Sequence, residues 1–175
     1  MGLFRTVART TIGALFIGHG TQKLFGWFGG GGLEGTGAHF DQAGLHPGRR
    51  NALAAGAAET GGGLFFALGA ATPLAASALT GVMLTAIKTV HWPKGLWSSA
   101  GGYEYNLVLL AAVFGLTENG PGEWSVDGLL GRKRWGTLWA LAALAAGAAG
   151  SAAILAAAEH AEEEVTVDEP AAATT

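Results

Sequence analysis

Cysteine is absent from all 175 residues. That excludes disulfides, thiolate metal sites, iron–sulfur ligation and a cysteine nucleophile on this chain. Charge is scarce as well: 13% of residues are Asp, Glu, Lys or Arg, about half the roughly 25% of an ordinary soluble domain. What charge there is lies unevenly. Six of the thirteen acidic residues stand beyond residue 158, where there is no Lys or Arg, and the remainder of the chain carries a net +3. The acidic pI of 5.9 therefore belongs to the C-terminal end. No basic groove with interleaved aromatics exists, so a nucleic-acid partner is not expected.

Half of the residues are hydrophobic, and they are gathered into runs. A bilayer core of about 30 Å calls for roughly 20 apolar residues in a helix. Five stretches approach that length: 7–28, 52–71, 73–92, the short 103–117, and the long Ala-rich 135–158. None shows the wide polar face that a helix on the surface of a soluble protein needs. Arg5 and Arg9 imitate the charged start of a secretory signal. However, His19, Gln22 and Lys23 interrupt the apolar run and no A-x-A pattern follows, so the first span is expected to be retained.

Between spans two and three the connection is minimal, with Thr72 expected to cap the helix that Pro73 begins. The stretch 29–32, four consecutive glycines, lacks the strand and the Lys-Ser/Thr of a phosphate loop and reads as a flexible loop. Basic residues flanking the spans favour a cytoplasmic N-terminus by the positive-inside rule. From Glu159 onward, Glu, Ala, Pro and Thr leave little to bury, which predicts a disordered tail over 159–175.

Function is sought where lipid penalises side chains, because an ionisable group near the bilayer centre costs at least about 2.5–3.5 kcal/mol on insertion scales. His19, Gln22 and Lys23 are spaced i, i+3, i+4 and share one helical face. Span two carries Glu59 and Thr60, span three carries Lys88 and His91, and span four opens on Tyr103, Glu104, Tyr105 and Asn106. Alternating helix direction places all of these in one leaflet. The charges of Lys23, Lys88, Glu59 and Glu104 cancel, as a buried network requires.

One polar pocket is therefore expected. Glu59, His19, Lys23 and Lys88 form its reactive part, and His91, Tyr103, Glu104 and Gln22 contact a bound group. Glu59, short-stemmed and deep, is its centre. No H-x-x-x-H or E-x-x-H pairing occurs, so no metal site is assigned. Trp27 and Trp92, four residues beyond Lys23 and Lys88, are candidate walls. The other tryptophans, at 97, 124, 135 and 139, read as interfacial anchors. Ala143, Gly147 and Ser151 repeat small residues every fourth position, a face for packing on the bundle or on a partner, a second copy of the chain included.

Four motifs in order carry a resemblance: Gly18-His19-Gly20-Thr21-Gln22-Lys23-Leu24-Phe25-Gly26, Glu59-Thr60-Gly61-Gly62, Gly101-Gly102-Tyr103-Glu104-Tyr105, and Gly120-Pro121-Gly122 leading to Ser125-Val126-Asp127. Over about residues 8–131 the chain resembles the DoxX family of small bacterial integral membrane proteins, a group with the DoxD and MauE types. The resemblance implies an all-α transmembrane bundle, with a four-helix membrane domain over 1–131. The helix at 132–158 is then an addition, and the protein is expected to cross the bacterial plasma membrane several times.

Some relatives look like subunits of membrane oxidoreductases that pass electrons from sulfur compounds to quinone. A quinone ligand and a redox partner protein are thus implied, with any thiol step on that partner. His19, Lys23, His91 and Tyr103 are then expected to donate hydrogen bonds to the ligand's carbonyls and Glu59 to relay a proton. A non-catalytic scaffold and a carrier of protons or a small solute are the competing classes.

Overall fold

The computed structural model describes residues 2–168, with side chains as far as residue 161. It is helical, with no strand among the described residues. The seven α-helices are α1 (Gly2–Phe25), α2 (Gly32–Gln42), α3 (Gly48–Leu68), α4 (Thr72–Ala86), α5 (Glu104–Asn119), the short α6 (Val126–Leu129) and α7 (Thr137–Asp168). A π-helical turn, Ile87–His91, extends α4. Each of the five apolar stretches coincides with a long helix, α1, α3, α4, α5 or α7. Two segments, Thr72–Lys94 and Thr137–Ala161, are long and apolar enough to cross a membrane by length and composition.

Three expectations need correction. The glycine-rich stretch is not a flexible loop. Gly26, Gly29 and Gly32 take positive φ, the chain turns tightly back on itself, and a Cβ at Gly30 would lie 2.6 Å from the Cα of Gln22. From there α2 runs against α3, with Gly37 seated on Arg49. Second, the tail expected to be disordered from Glu159 is helical to Asp168, because Ala and Glu are strong helix formers that continue the preceding turns. Residues 169–175 lie outside the described part.

Third, Thr72 is not the cap of α4. Ala71 holds the capping position with φ 44° and offers no side chain to the helix. The cap comes from Asp127. Its Oδ1 accepts from the Ala71 amide at 2.8 Å, and its Oδ2 accepts from the Thr72 amide at 2.9 Å and hydroxyl at 2.7 Å. Trp135, expected as an interfacial anchor, donates its Nε1–H to the same carboxylate at 3.0 Å.

On the other side of this turn, buried Arg9 of α1 donates to the carbonyls of Phe66 and Ala67 at the end of α3, and to Trp124 O at 2.9 Å. A cation thus meets the negative end of α3 and an anion the positive end of α4, the arrangement that helix dipoles favour. Burial acts to raise the Asp127 pKa. The bonds from Thr72, then from Trp135 and Ala71, outweigh it and hold the carboxyl below its ordinary value.

The core is assembled around α3 and α4. Phe16, Phe66, Leu79, Met83, Leu109 and Val113 are its larger members, and Ala143 brings in α7. Where α1 crosses α3 the backbones nearly touch: a Cβ on Gly63 would lie 2.7 Å from Gly13 O and 3.0 Å from the Ile17 amide, and one on Gly20 2.7 Å from Gly56 O. The small-residue face of α7 packs on the bundle, with Gly147 against Ser77 and Thr80. Ser151 is hydrogen-bonded to Thr85 at 2.9 Å.

Three outcomes are expected. Gly63→Val forces α1 from α3 and costs about 1–3 kcal/mol, read as a lower Tm in detergent. Gly61→Ala, whose new methyl meets open space, leaves Tm unchanged or raises it by the equivalent of up to about 1 kcal/mol. Asp127 contributes its stability above the ordinary aspartate value of 3.8 and loses it as pH falls through the lower folded value. Asp127→Asn is therefore expected to lower Tm at neutral pH and to flatten the acid fall in Tm. An unchanged acid slope in the variant would count against this role.

Candidate functional site

A cavity of about 1150 Å³ runs through the side of the bundle. Its walls come from α1, α2, α3, α4 with the π turn, α5 and α7. Along α4 it is lined from Leu74 to Thr89, about 22 Å at 1.5 Å rise per residue. Toward the start of α4 the lining is apolar or small: Leu74, Ser77, Ala78 and Val82 of α4 with Ala146 and Gly150 of α7. Polar residues gather at the other end, among them His19, Gln22, Lys23, Glu59, His91, Tyr105 and Asn106.

The charged centre is a pair from two helices. Glu59 is 2% exposed, and its Oε2 accepts from Lys23 Nζ at 2.6 Å. The two meet because the glycine contacts bring α1 against α3, and because an uncompensated buried carboxylate is strongly unfavourable. His19 is close enough to Glu59 for electrostatic interaction, and its ring stands edge-on to Tyr105 at 6.5 Å. On Glu59, Oε1 takes no protein donor among the described residues.

The histidine tautomers follow from their partners. Gln22 donates through Nε2 to Phe28 O at 3.3 Å, so its Oε1, 3.1 Å from His19 Nδ1, is the acceptor. His19 therefore carries its proton on Nδ1. His91 Nδ1 lies 2.7 Å from Gly101 O, a carbonyl that can only accept, and is likewise protonated. In the neutral form of each ring this leaves Nε2 as a lone-pair acceptor.

The structure brings some of the residues singled out in the sequence together and leaves others apart. His19, Gln22, Lys23, Glu59 and His91 are brought together around one cavity. Lys88, Tyr103 and Glu104 do not line it. Lys88 is exposed, since the wide π turn re-phases the helix so that Thr89, Val90 and His91 face inward instead. Tyr103 stacks on Trp92 at 5.3 Å and 15°. Glu104 accepts from the Ser98 amide at 3.0 Å and fixes a surface turn. The balance of two cations against two anions is therefore one against one.

Trp27 and Trp92 do not wall the cavity either, being 57% and 61% exposed. Tyr105 and buried Asn106, whose Nδ2 donates to Met83 Sδ at 3.4 Å, take the places assigned to Tyr103 and Glu104. Helical period would have found Asn106, which shares a stripe with Leu109, Val113 and Thr117, all buried. His39 and Thr36, also lining residues, sit on α2, a helix outside the five apolar stretches read from the sequence.

An all-α bundle with two membrane-length apolar segments and a buried carboxylate paired to a lysine across two helices defines a class, the small integral membrane protein with a largely apolar cavity that has one polar end. Residues 4–92 match the model of the DoxX family, and the chain belongs to that family. Comparison with curated proteins and with solved structures gives no match.

Separating Lys23 from Glu59 should be costly in either direction. Lys23→Met or Glu59→Gln alone leaves one buried group without its partner and is expected to destabilise by about 3–5 kcal/mol. The double variant should recover much of that loss. Single losses that merely add in a double-mutant cycle on detergent Tm would show that the pair is not coupled.

Proposed function

We propose that this DoxX-family protein crosses the bacterial plasma membrane with α1, α3, α4, α5 and α7 and binds a quinone-type amphiphile as the lipid-side subunit of a redox complex. The observation that carries the reading is the shape and chemistry of one cavity: a charged pair with two histidines at one end and a long apolar flank behind it. Its volume exceeds the roughly 300–1,000 Å³ of ordinary small-molecule sites, as a head group with a hydrocarbon chain requires. Among the cations near the ends of the proposed spans, Arg9 is buried. That leaves Arg5, Arg132, Lys133 and Arg134 on the N-terminal side against Arg49, Arg50 and Lys94 on the other, which favours a cytoplasmic N-terminus.

A quinone-type head supplies two-electron, two-proton chemistry. Lys23 holds Glu59 in place, and Glu59 keeps one carboxylate oxygen free for a proton at the cavity surface. The apolar flank excludes water from the bound chain. With no cysteine on the chain, electrons from a thiol or other sulfur donor come from a partner protein.

The ion pair by itself favours a second reading, a scaffold whose charges only fix helix register. Protein purified in mild detergent from its native membrane is expected to carry quinone in its lipid extract by mass spectrometry, and to bind an added decyl-benzoquinone that Glu59→Gln weakens at least about tenfold. An extract free of quinone, together with no binding of the added compound, overturns the proposal and leaves the scaffold.

A further inference from the structure

The polar end of the cavity is rich in acceptors, the reverse of the donor-lined pocket read from the sequence. His19 and His91 each give their ring N–H to protein, the first to Gln22 and the second to Gly101. Among the described residues neither Nε2 has a protein partner. Glu59 adds a carboxylate oxygen without a donor. Of the amine and amide donors, Lys23 donates to Glu59 and weakly to His19 O at 3.5 Å, Gln22 to Phe28, and Asn106 to Met83, while the Tyr105 hydroxyl has no protein partner among the described residues and serves as donor or acceptor.

A dicarbonyl head offers only acceptors to these three acceptor atoms and, on binding, covers them without supplying a donor, which is unfavourable. A dihydroxy head presents a hydrogen to each acceptor while its oxygens still receive the remaining Lys23 N–H.

We propose that the cavity selects the reduced, dihydroxy (quinol) form of its ligand over the oxidised, dicarbonyl form, with Nε2 of His19 and His91 and the free oxygen of Glu59 accepting from the hydroxyls. The inference rests on the amphiphile reading above. Sites built to hydrogen-bond a hydroxyl discriminate strongly against analogues that lack it, so the preference is a matter of binding and needs no turnover to be seen.

Equilibrium dialysis of the full chain in detergent, under anaerobic reducing or oxidising conditions, tests it with decyl-benzoquinol, decyl-benzoquinone and the quinol's dimethyl ether. The quinol is expected to bind at least about tenfold more tightly than either of the others. The ether keeps the ring, the chain and the oxygens, and loses only the donors. His91→Phe should weaken the quinol more than the quinone and so shrink the quinol-to-quinone ratio. Equal affinities, or tighter binding of the quinone, overturn the selection and leave the amphiphile reading standing. If none of the three compounds binds, that reading falls and the selection with it.

Discussion

The structure depends on how closely α1 can approach α3. Glycines at 13, 20, 56 and 63 remove the side chains that would hold the two backbones apart, and van der Waals packing of this kind, not hydrophobic expulsion, is what associates helices within lipid. The same contact presses Lys23 onto Glu59. Stability and chemistry are therefore linked: whatever separates the helices also strands a carboxylate that is 2% exposed. The face of α1 that carries Lys23 to Glu59 also carries His19 and Gln22 to the cavity.

The two ends of the bundle are built differently. At the α3–α4 turn, Arg9 and Asp127 saturate the helix ends from outside the hairpin, and Ser125, Trp124 and Trp135 close around them. At the other end α4 relaxes into a π turn, and the chain from Trp92 to Tyr103 is held by a ring stack and by the carbonyl that receives His91. One end is cross-braced through buried charge. The other keeps unpartnered lone pairs beside a cavity, as a site that receives a ligand must.

Long helices and the polar residues that interrupt them were legible in the sequence. The i, i+3, i+4 spacing of His19, Gln22 and Lys23 placed them on one face, and Glu59 was marked by the cost of a short carboxylate in lipid. Failures came where a local rule was overridden from a distance. Lys88 was read on an ideal helical period, and the π turn broke that period. Tyr103 and Glu104 were assigned to the pocket from the opening of span four, whereas at the cap and first residue of α5 they turn to a ring stack and a surface turn. Thr72 looked like a cap by its type, but a residue 55 positions away does the capping. The sequence also gave no hint of α2, because its Gly-rich start reads as a breaker unless one knows that Gly30 must lie against Gln22.

The cavity draws on two parts of the chain with different standing. His19, Lys23, Glu59 and His91 all fall within residues 4–92, the stretch matched to the family. One apolar wall, with Ala146, Gly147, Gly150 and Ile154, is contributed by α7 beyond it. Selection can therefore widen or narrow the hydrocarbon side by exchanging alanine and glycine on α7 without disturbing the charged end. For the amphiphile proposed above, head recognition and tail calibre would then be separately mutable traits, and a descendant could change the length of chain it accommodates while keeping the same polar grip.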